Sequence, residues 1–462
     1  LSLSASALCL AIAAASALPL QAATLEGSAL EALHIPAGNL ASRLNAFAQR
    51  SGITLSYAPE LVQGLRSPGL DGAVSVDAAL NELLAGTGLI ARQGSAGYVI
   101  LAAADDGSFQ LAPLTVEGQA MQQSGVSPSE GYHAAISRSA TKTDTPILET
   151  AQSISVVTAE QIADRKVDRV EDAVAYTAGV RVGSSGLDPR FDQINVRGFE
   201  TTMSADFLDG LRQPYNGWLS IYGVEAYTLE RIEVLKGPAS VLYGQISPGG
   251  MVNRVSKRPS LEASNEVEIQ GGNNEHRQGQ FDIGGQLDAD GDVLFRTIGM
   301  YRDAAYDIEQ LNNDVRLLAP SLAWQISPDT SLTLLAQYQE RETAASPMLY
   351  QDGDHLTDFW QGDEYFDKLE QRQWTFGYEF EHAFNDTFTL QQNLRYGQID
   401  TTNQYLQPDG TITNGVMDRY AVGVYENMES VSSDTRLVSR FATGTLQHTL
   451  LTGWDYSWFD GS

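Results

Sequence analysis

The sequence has almost no cysteine, little basic charge and, beyond its first residues, no long apolar run. Its single cysteine, Cys9, lies in an apolar N-terminal stretch, which excludes a disulfide framework or a thiolate metal site from the rest of the chain. The 462 residues carry 29 Lys and Arg against 58 Asp and Glu, a formal net charge of -29. Binding to nucleic acid requires clustered Lys and Arg, so that class of function is excluded. Any membrane location must come from β-strands, because no later segment is long and apolar enough for a spanning helix.

The first residues predict a secretory signal peptide. Residues 3–20 are rich in Ala, Leu and Ser and carry no charge, and the small residues Ala22 and Ala23 follow as a cleavage site. We therefore expect a signal peptide over residues 1–23. A transmembrane anchor is the alternative, because ~18 apolar residues are borderline for a span. The initiator Met and a basic segment are missing, so we expect the natural protein to begin before Leu1.

Residues 30–101 predict a small α+β domain. Leu40, Leu44 and Phe47 share one helical face, and a similar helix and a hairpin that turns between residues 94 and 97 follow. No catalytic cluster is visible in this unit.

Residues 102–145 have the composition of a flexible linker, rich in Ala, Gln, Ser and Gly. One apolar island, Leu114, Thr115, Val116 and Glu117, has the β-branched character of a segment that can add as a strand to the sheet edge of another protein. A random apolar patch is equally consistent with the sequence alone.

Residues 146–260 predict a second compact domain. Helix signals cover 159–164 and 169–176, and strands separated by Gly and Pro follow. The sharpest local pattern spans 230–244, where a strand, a Gly-Pro turn and a short helical turn come in immediate succession.

The chain after residue 260 predicts antiparallel strands with alternately short and long connections. The predicted strands cover 265–272, 277–287, 293–302, 314–326, 331–342, 371–384, 387–399, 434–443 and 446–459. Their lengths match the ~9 to 11 residues of a tilted membrane strand. The long connections, predicted at 303–313, 343–370 and 400–433, alternate with turns of a few residues, as extracellular loops alternate with periplasmic turns.

The alternation of residues within the strands predicts a sheet with one face towards lipid and the other towards water. Trp374, Phe376, Tyr378 and Phe380 share one face, and polar or small residues occupy the other. A soluble β-sandwich is the alternative. About nine strands cannot close an outer-membrane barrel of the usual kind, so we expect the natural protein to continue beyond Ser462.

Short motifs between residues 146 and 259 follow the order and spacing of a known family. They are Asp172-Ala173-Val174, Thr177-Ala178-Gly179-Val180, Asn195-Val196-Arg197-Gly198-Phe199, Leu208-Asp209-Gly210, Leu229-Glu230-Arg231-Ile232-Glu233-Val234, Lys236-Gly237-Pro238, Leu242-Tyr243-Gly244, Pro248-Gly249-Gly250 and Asn253. In them the chain resembles the plug of TonB-dependent outer-membrane receptors, specifically the ferric-siderophore branch. The N-terminal unit is similar to the short signalling domain shared by secretins and TonB receptors, with Ile35-Pro36-Ala37-Gly38 and residues 80–89 as its marks.

The resemblance implies an outer-membrane β-barrel of about 22 strands around an α+β plug, with a small α+β signalling domain in the periplasm of a Gram-negative bacterium. It implies domains at 30–101 (signalling), 146–259 (plug) and 260–462 (partial barrel), and a linker at 102–145 with its TonB box at the apolar island. It implies TonB, with ExbB and ExbD, and an inner-membrane anti-sigma regulator as partners. No intrinsic cofactor is implied, since the ferric siderophore is the transported ligand.

An iron chelate is held by its organic shell, which calls for aromatic faces and a few donors. The six His show no metal-ligand spacing. We predict ligand contacts at Arg197, Tyr215, Trp218, Trp360, Tyr365 and Phe366. Arg197 could instead pair with a barrel carboxylate, and the aromatic residues could form an interfacial belt. The acidic loop at 343–370 could be a solvated surface, a calcium site or an attractor for a basic siderophore.

Two rival functions stay open. One is a transporter of the same architecture for haem, cobalamin or a glycan, and the other is a sensor that imports little. An enzyme is not expected, because no constellation of Ser, His, Asp and Cys suggests nucleophilic catalysis.

Overall fold

The computed structural model describes residues 33–51, 53, 55–57, 59–62, 65–72, 75–94, 97–102, 124–129, 131–217, 219–261, 265–306, 308, 310–346 and 348–462. The predicted signal peptide (1–23), the predicted TonB box (114–117) and Trp218 lie outside these residues. The chain divides into two compact units, Leu1–Glu117 and Gly118–Ser462.

The first unit has α+β structure, as predicted. Its helices are α1 (Leu40–Ser51), α2 (Pro59–Val62) and α3 (Val76–Leu83). Its strands are β1 (Leu33–Ile35), β2 (Gly38–Asn39), β3 (Leu55–Ser56), β4 (Arg66–Ser67), β5 (Leu70–Gly72), β6 (Leu89–Gly94) and β7 (Gly97–Ala102). β7 pairs with β6 in the predicted hairpin and in parallel with β3.

The core of this unit comes from the predicted helical faces. Leu40, Leu44 and Phe47 are fully buried on α1, and they pack with Leu80 and Leu83 of α3 in one cluster. The spacing of four and three residues places each set on one side of its helix, so burial of these two stripes orients both helices.

The second unit begins with a central region, which we define as the described residues between 124 and 261. Its helices are α4 (Ala159–Asp164), α5 (Val170–Val174) and α6 (Ser240–Tyr243). Its strands are β8 (Ile136–Ser137), β9 (Thr145–Pro146), β10 (Ser153–Thr158), β11 (Val180–Val182), β12 (Ile194–Val196), β13 (Phe199–Glu200), β14 (Asp206–Leu208), β15 (Leu211–Arg212), β16 (Tyr215–Asn216), β17 (Ser220–Ile221), β18 (Leu229–Lys236) and β19 (Gly250–Ser256).

A mixed sheet in the order β10-β18-β19-β14-β15 forms the centre of this region. The predicted strand, turn and helix over 230–244 are confirmed as β18, a turn at Gly237 and α6. Gly237 has φ +105, a conformation that side chains disfavour, which explains the glycine at this turn.

The remaining chain forms an antiparallel sheet that we call the wall. Its nine described strands are β20 (Glu266–Gly271), β21 (Arg277–Gln286), β22 (Val293–Asp303), β23 (Asp314–Ser327), β24 (Thr330–Thr343), β27 (Lys368–Ala383), β28 (Phe388–Thr413), β29 (Val416–Thr443) and β30 (Leu446–Gly461), each paired with its neighbour in that order. A separate hairpin, β25 (Leu349–Asp352) with β26 (His355–Trp360), lies in the connection between β24 and β27.

The two faces of the wall have opposite character. On β27, Trp374 and Phe376 are 39% and 49% exposed, whereas Gln371 and Gln373 on the other face are buried against the central region. Apolar residues outside and polar residues inside are the pattern of a membrane β-barrel strand. In the part of the chain that the structure describes, no helix has both the length and the hydropathy needed to cross a membrane.

One predicted connection is wrong. The long loop expected at 400–433 is instead a continuation of β28 to Thr413 and of β29 from Val416. The two strands turn at Asn414 and Gly415, which have φ +54 and +78. Asn-Gly is the preferred pair for such a two-residue turn, because both positions need positive φ.

Candidate functional site

The central region meets the wall through a hairpin near the long connections. This hairpin consists of β16 and β17, and Glu426 of β29 binds it. Oε2 of Glu426 accepts the backbone N–H of Leu219 at 3.0 Å, the N–H of Ser220 at 2.9 Å and the Ser220 hydroxyl at 3.1 Å. A carboxylate with three donors fixes the hairpin against one place on the wall.

Two glutamines of β27 bind the backbone of this hairpin and of the segment that follows it. Gln373 donates to the carbonyl of Gly223 at 2.7 Å and accepts its N–H at 2.9 Å. Gln371 donates to the carbonyl of Leu219 at 2.8 Å, and the hydroxyls of Tyr222 and Ser430 are 2.9 Å apart. These side chains satisfy buried backbone groups of an irregular loop, which would otherwise be costly.

A second loop of the central region, residues 183–192, is held by arginines on two sides. Arg341 of β24 donates to the carbonyl of Pro189. Arg169, which directly precedes α5, donates to the carbonyls of Asp188 at 3.1 Å and Phe191 at 2.8 Å. The loop therefore contacts both the wall and the helix behind it.

Arg169 also pairs with the buried carboxylate of Glu171, with Nη1 and Oε1 3.0 Å apart. Burial raises the pKa of Glu171 to about 7, although Arg169 and the N–H of Gln193 favour the charged form. Arg169 lines a cleft together with Arg190, Asp192 and Arg341.

The structure places two of the predicted site residues apart. Tyr215 lies on β16, 40% exposed, in the hairpin that Glu426 holds. Arg197 lies at the turn between β12 and β13 with φ +51, and its side chain contacts Gly237. Burial and the nearby charge of Arg197 lower the pKa of Lys236. Arg197 therefore belongs to a different part of the central region from Tyr215.

The other three lie in or after the hairpin of β25 and β26. Trp360 is 9% exposed, and its Nε1 donates to the carbonyl of Ser346 at 2.8 Å. Tyr365 is 93% exposed, and Phe366 is partly buried. The carboxylate of Asp363 accepts the backbone N–H of both residues, at 3.0 and 3.1 Å. Tyr365 is accessible to a ligand here, whereas the indole of Trp360 already binds within its own loop. The predicted contact at Trp360 stays a prediction.

Sequence reasoning missed the residues that position the loops, namely Glu426, Gln371, Gln373 and Arg341. The signal for the glutamines was present, because they occupy the polar face of β27 opposite Trp374. What the sequence did not contain was the identity of the backbone that they bind, about 150 residues away.

Deeper between the central region and the wall lies a buried ionic cluster. Asp209 pairs with Arg258 of the central region at 3.1 Å and with Arg395 of β28, and Arg258 also binds Glu379 of β27. Burial alone would raise the pKa of Asp209, but the two guanidinium groups and the donors of Ser256 lower it to about 2. The cluster joins the central region to two strands of the wall.

A third attachment lies in the second half of the predicted linker. We call residues 124–129 and 131–146 the strap. Lys142 of the strap binds Asp434 of β29, with Nζ and Oδ2 2.7 Å apart and both side chains buried. Ser137 donates to Glu233 of β18 at 2.8 Å, and Tyr243 donates to the carbonyl of Ser139 at 2.8 Å.

These contacts hold the loops of the central region against the wall. Among the described residues no group of three or more His, Cys, Asp or Glu is placed to bind a metal ion.

Two family models match the chain. The Secretin and TonB N terminus short domain covers residues 53–104, and the TonB-dependent Receptor Plug Domain covers residues 146–251. Both ranges overlap the regions in which the sequence motifs were found.

Relatives and solved structures give the same picture. The ferrichrome outer membrane transporter/phage receptor of Escherichia coli K12 is 36% identical over 73% of this chain and 49% of its own length. The ferrioxamine B receptor of Salmonella typhimurium is 36% identical over 69% of this chain and 47% of its own. The structure of Pseudomonas aeruginosa FpvA bound to a heterologous pyoverdine has a TM-score of 0.67 at 24% identity, and the match covers 93% of this chain and 56% of that one. The chain spans about half the length of the relatives it matches.

Proposed function

We propose that this chain, which belongs to the TonB-dependent receptor family, binds a ferric siderophore between the loops of its central region and the wall and carries it across the outer membrane. The observation that supports this most is the fixation of residues 219–223 by Glu426, Gln371 and Gln373. A ligand resting on these loops would touch both the plug and the barrel wall. Ligand binding could therefore change the contacts of both.

The relatives favour an iron chelate as the ligand. The names of two of them give ferrichrome and ferrioxamine B as what they bind or transport. Haem, cobalamin or a glycan is a weaker alternative, because the relatives named above are siderophore receptors.

Energy for transport would come from TonB, driven by ExbB and ExbD. We propose that TonB adds as a strand to Leu114, Thr115, Val116 and Glu117, since an apolar segment with β-branched residues can pair with a sheet edge. Pulling on this segment would next load the strap. The buried pair of Lys142 and Asp434 makes the strap a connection between that pull and the wall.

The N-terminal unit would report ligand occupancy to an inner-membrane anti-sigma regulator in the periplasm. Two features support this role: the match to the secretin and TonB short domain, and the division of the chain into two compact units.

The proposed ligand contacts are Arg197, Tyr215, Trp218, Trp360, Tyr365 and Phe366. Tyr215 and Tyr365 are the best supported, because both are exposed beside loops that the wall holds. Arg197 is less well supported as a ligand contact, because it lies at a different turn of the central region, beside Gly237.

Titration of the full-length receptor with ferric siderophores, haem and cobalamin tests the proposal. We expect saturable quenching of tryptophan fluorescence by a ferric siderophore, and growth of receptor-expressing cells on that siderophore as sole iron source. A response to haem or cobalamin alone would contradict the proposed substrate. Unchanged affinity in the double variant Tyr215→Ala and Trp218→Ala would contradict the proposed position of the ligand.

A further inference from the structure

Three polar side chains on the inner face of the wall are buried and have no hydrogen-bond partner in the described structure. Thr343 of β24 and Thr401 and Asn403 of β28 are 1%, 3% and 0% exposed. The hydroxyls of both threonines lack a partner among the described residues, as do the amide nitrogen and the amide oxygen of Asn403. We call these three residues the unpaired patch.

The strand register places the patch on one face. Leu369 of β27 pairs with Thr343 on one side and with Asn403 on the other, and Gln371 pairs with Thr401. Register partners point to the same side of a sheet. Gln371 points inward, because it binds the loop of the central region. The unpaired patch therefore also faces the interior of the sheet.

The patch lies where contact with the central region ends. Arg341 of β24, Gln371 of β27 and Glu426 of β29 bind the loops of the central region. Thr343 and Asn403 lie two residues further along β24 and β28, towards the long connections. They belong to the first inward-facing row of the wall beyond the plug loops, the row that a ligand resting on those loops would meet.

The segment that follows Thr343 is packed down in this structure. Ala344, Ala345 and Ser346 are buried, and the indole of Trp360 holds the Ser346 carbonyl. Ala344 and Trp360 pack with Leu311 from the preceding long connection. The segment is thus fixed by a few contacts between two loops, and loops are the parts of a fold that move most readily.

The chemistry of the patch selects a class of ligand. Buried amides and hydroxyls nearly always have partners, because an unmet donor or acceptor costs free energy. The three side chains are uncharged and offer both donors and acceptors. Asp367, two residues before Leu369 in the chain, adds a carboxylate whose Oδ2 also lacks a partner among the described residues, so an anionic group is disfavoured here.

We propose that Thr343, Thr401 and Asn403 form a subsite for uncharged amide or hydroxamate groups on the organic shell of the iron chelate, which becomes accessible when residues 344–346 move. This deepens the proposed function and rests on it. The receptor accordingly selects an uncharged ferric trihydroxamate over a trianionic ferric tris-catecholate.

The test compares variants of the two faces of β28 in the purified full-length receptor. Asn403→Leu and Thr401→Val remove the unpaired groups, and Thr402→Val changes the same kind of side chain on the opposite face. The probe is a neutral ferric trihydroxamate. We expect its Kd to rise by about tenfold or more in Asn403→Leu and in the double variant that combines Asn403→Leu with Thr401→Val. Thr402→Val should stay within about twofold of the parent. Heat-modified mobility on gels checks that each barrel is folded, and Asn403→Ser replaces Asn403→Leu if that variant does not fold.

The outcomes separate the inference from the proposed function. Binding of the neutral probe that is unchanged in both patch variants, or tighter binding of the tris-catecholate by the parent, overturns the subsite and leaves siderophore binding intact. If the parent binds no ferric siderophore of any class, both the subsite and the proposed function fail.

Discussion

At the scale of single residues, loss of the ion pair between Lys142 and Asp434 should destabilise the strap locally. Both side chains are buried and 2.7 Å apart, and removing one partner leaves a buried charge. Without Lys142, Asp434 would still pair with Arg436 at 3.3 Å, which reduces the free-energy cost of the buried charge. We expect Lys142→Met to lower the free energy of local opening of the strap by about 2 kcal/mol, measured by amide hydrogen exchange of residues 137–145.

The matched control is Lys368→Met, which breaks a pair with Glu370 whose side chains are both 40% exposed. Exposed pairs contribute little, so exchange near residue 368 should hardly change. Equal acceleration in the two variants would show that the strap is not held by its buried pair.

Glu171 should give the protein a distinctive pH dependence. Its pKa is about 7 in the folded protein and near 4.5 when the chain is unfolded. Between these values the folded state holds a proton that the unfolded state has released, so stability falls as pH rises from about 4.5 to 7. Glu171→Gln removes this loss and should raise the free energy of unfolding by about 2 kcal/mol at pH 8, with little effect at pH 4.

Thermal unfolding of the receptor in detergent, measured from about pH 4 to about pH 8, tests this effect. Glu149→Gln, a change at an exposed carboxylate, serves as the control and should keep the slope of the parent. If Glu171→Gln instead weakens the protein at pH 8, the pair with Arg169 outweighs the burial of the carboxylate.

At the scale of elements, the turn between β14 and β15 connects the central sheet to the wall. Asp209 and Gly210 form this two-residue turn, with φ +55 and +77, and Asp209 carries the charge that Arg258 and Arg395 share. Because the folded pKa is lowered to about 2, this stabilisation is present above about pH 4 and is lost as pH falls towards 2.

We expect Asp209→Asn to destabilise the docked central region by about 3 kcal/mol, since two buried guanidinium groups lose their common carboxylate. Protease sensitivity of the central region in the intact receptor measures the loss, and Asp290→Asn in an exposed turn should leave it unchanged. An unaltered digestion pattern for Asp209→Asn would mean that Glu379 alone holds Arg258.

The same elements show what could be predicted from sequence. Helix α4 at 159–164 was predicted from its apolar spacing, and Thr158 caps it by accepting the N–H of Gln161. The nine wall strands were also predicted, because alternation is local. The extension of β28 and β29 was missed although Asn414 and Gly415 gave a recognisable turn signal. The unpaired patch was beyond prediction, because only strand register brings Thr343 and Asn403 to one place.

At the scale of the whole molecule, the separation into two units predicts separable functions. The N-terminal unit has its own apolar core, and the central region builds its sheet entirely from strands after residue 152. Deletion of residues 24–104 should therefore spare binding and uptake of the siderophore, because none of the described residues in that segment belongs to the wall or the central sheet. Induction of the receptor's own gene should be lost with the signalling unit.

Radiolabelled iron uptake and a transcriptional reporter, measured in the same cells, distinguish the two activities. The full-length receptor with Lys142→Met provides the opposite control, because it keeps the signalling unit and alters only the strap. Loss of uptake in the deletion variant at normal receptor abundance would show that the N-terminal unit takes part in transport. Retained induction would show that occupancy is reported through a segment after residue 104, and the strap would then be the first place to look.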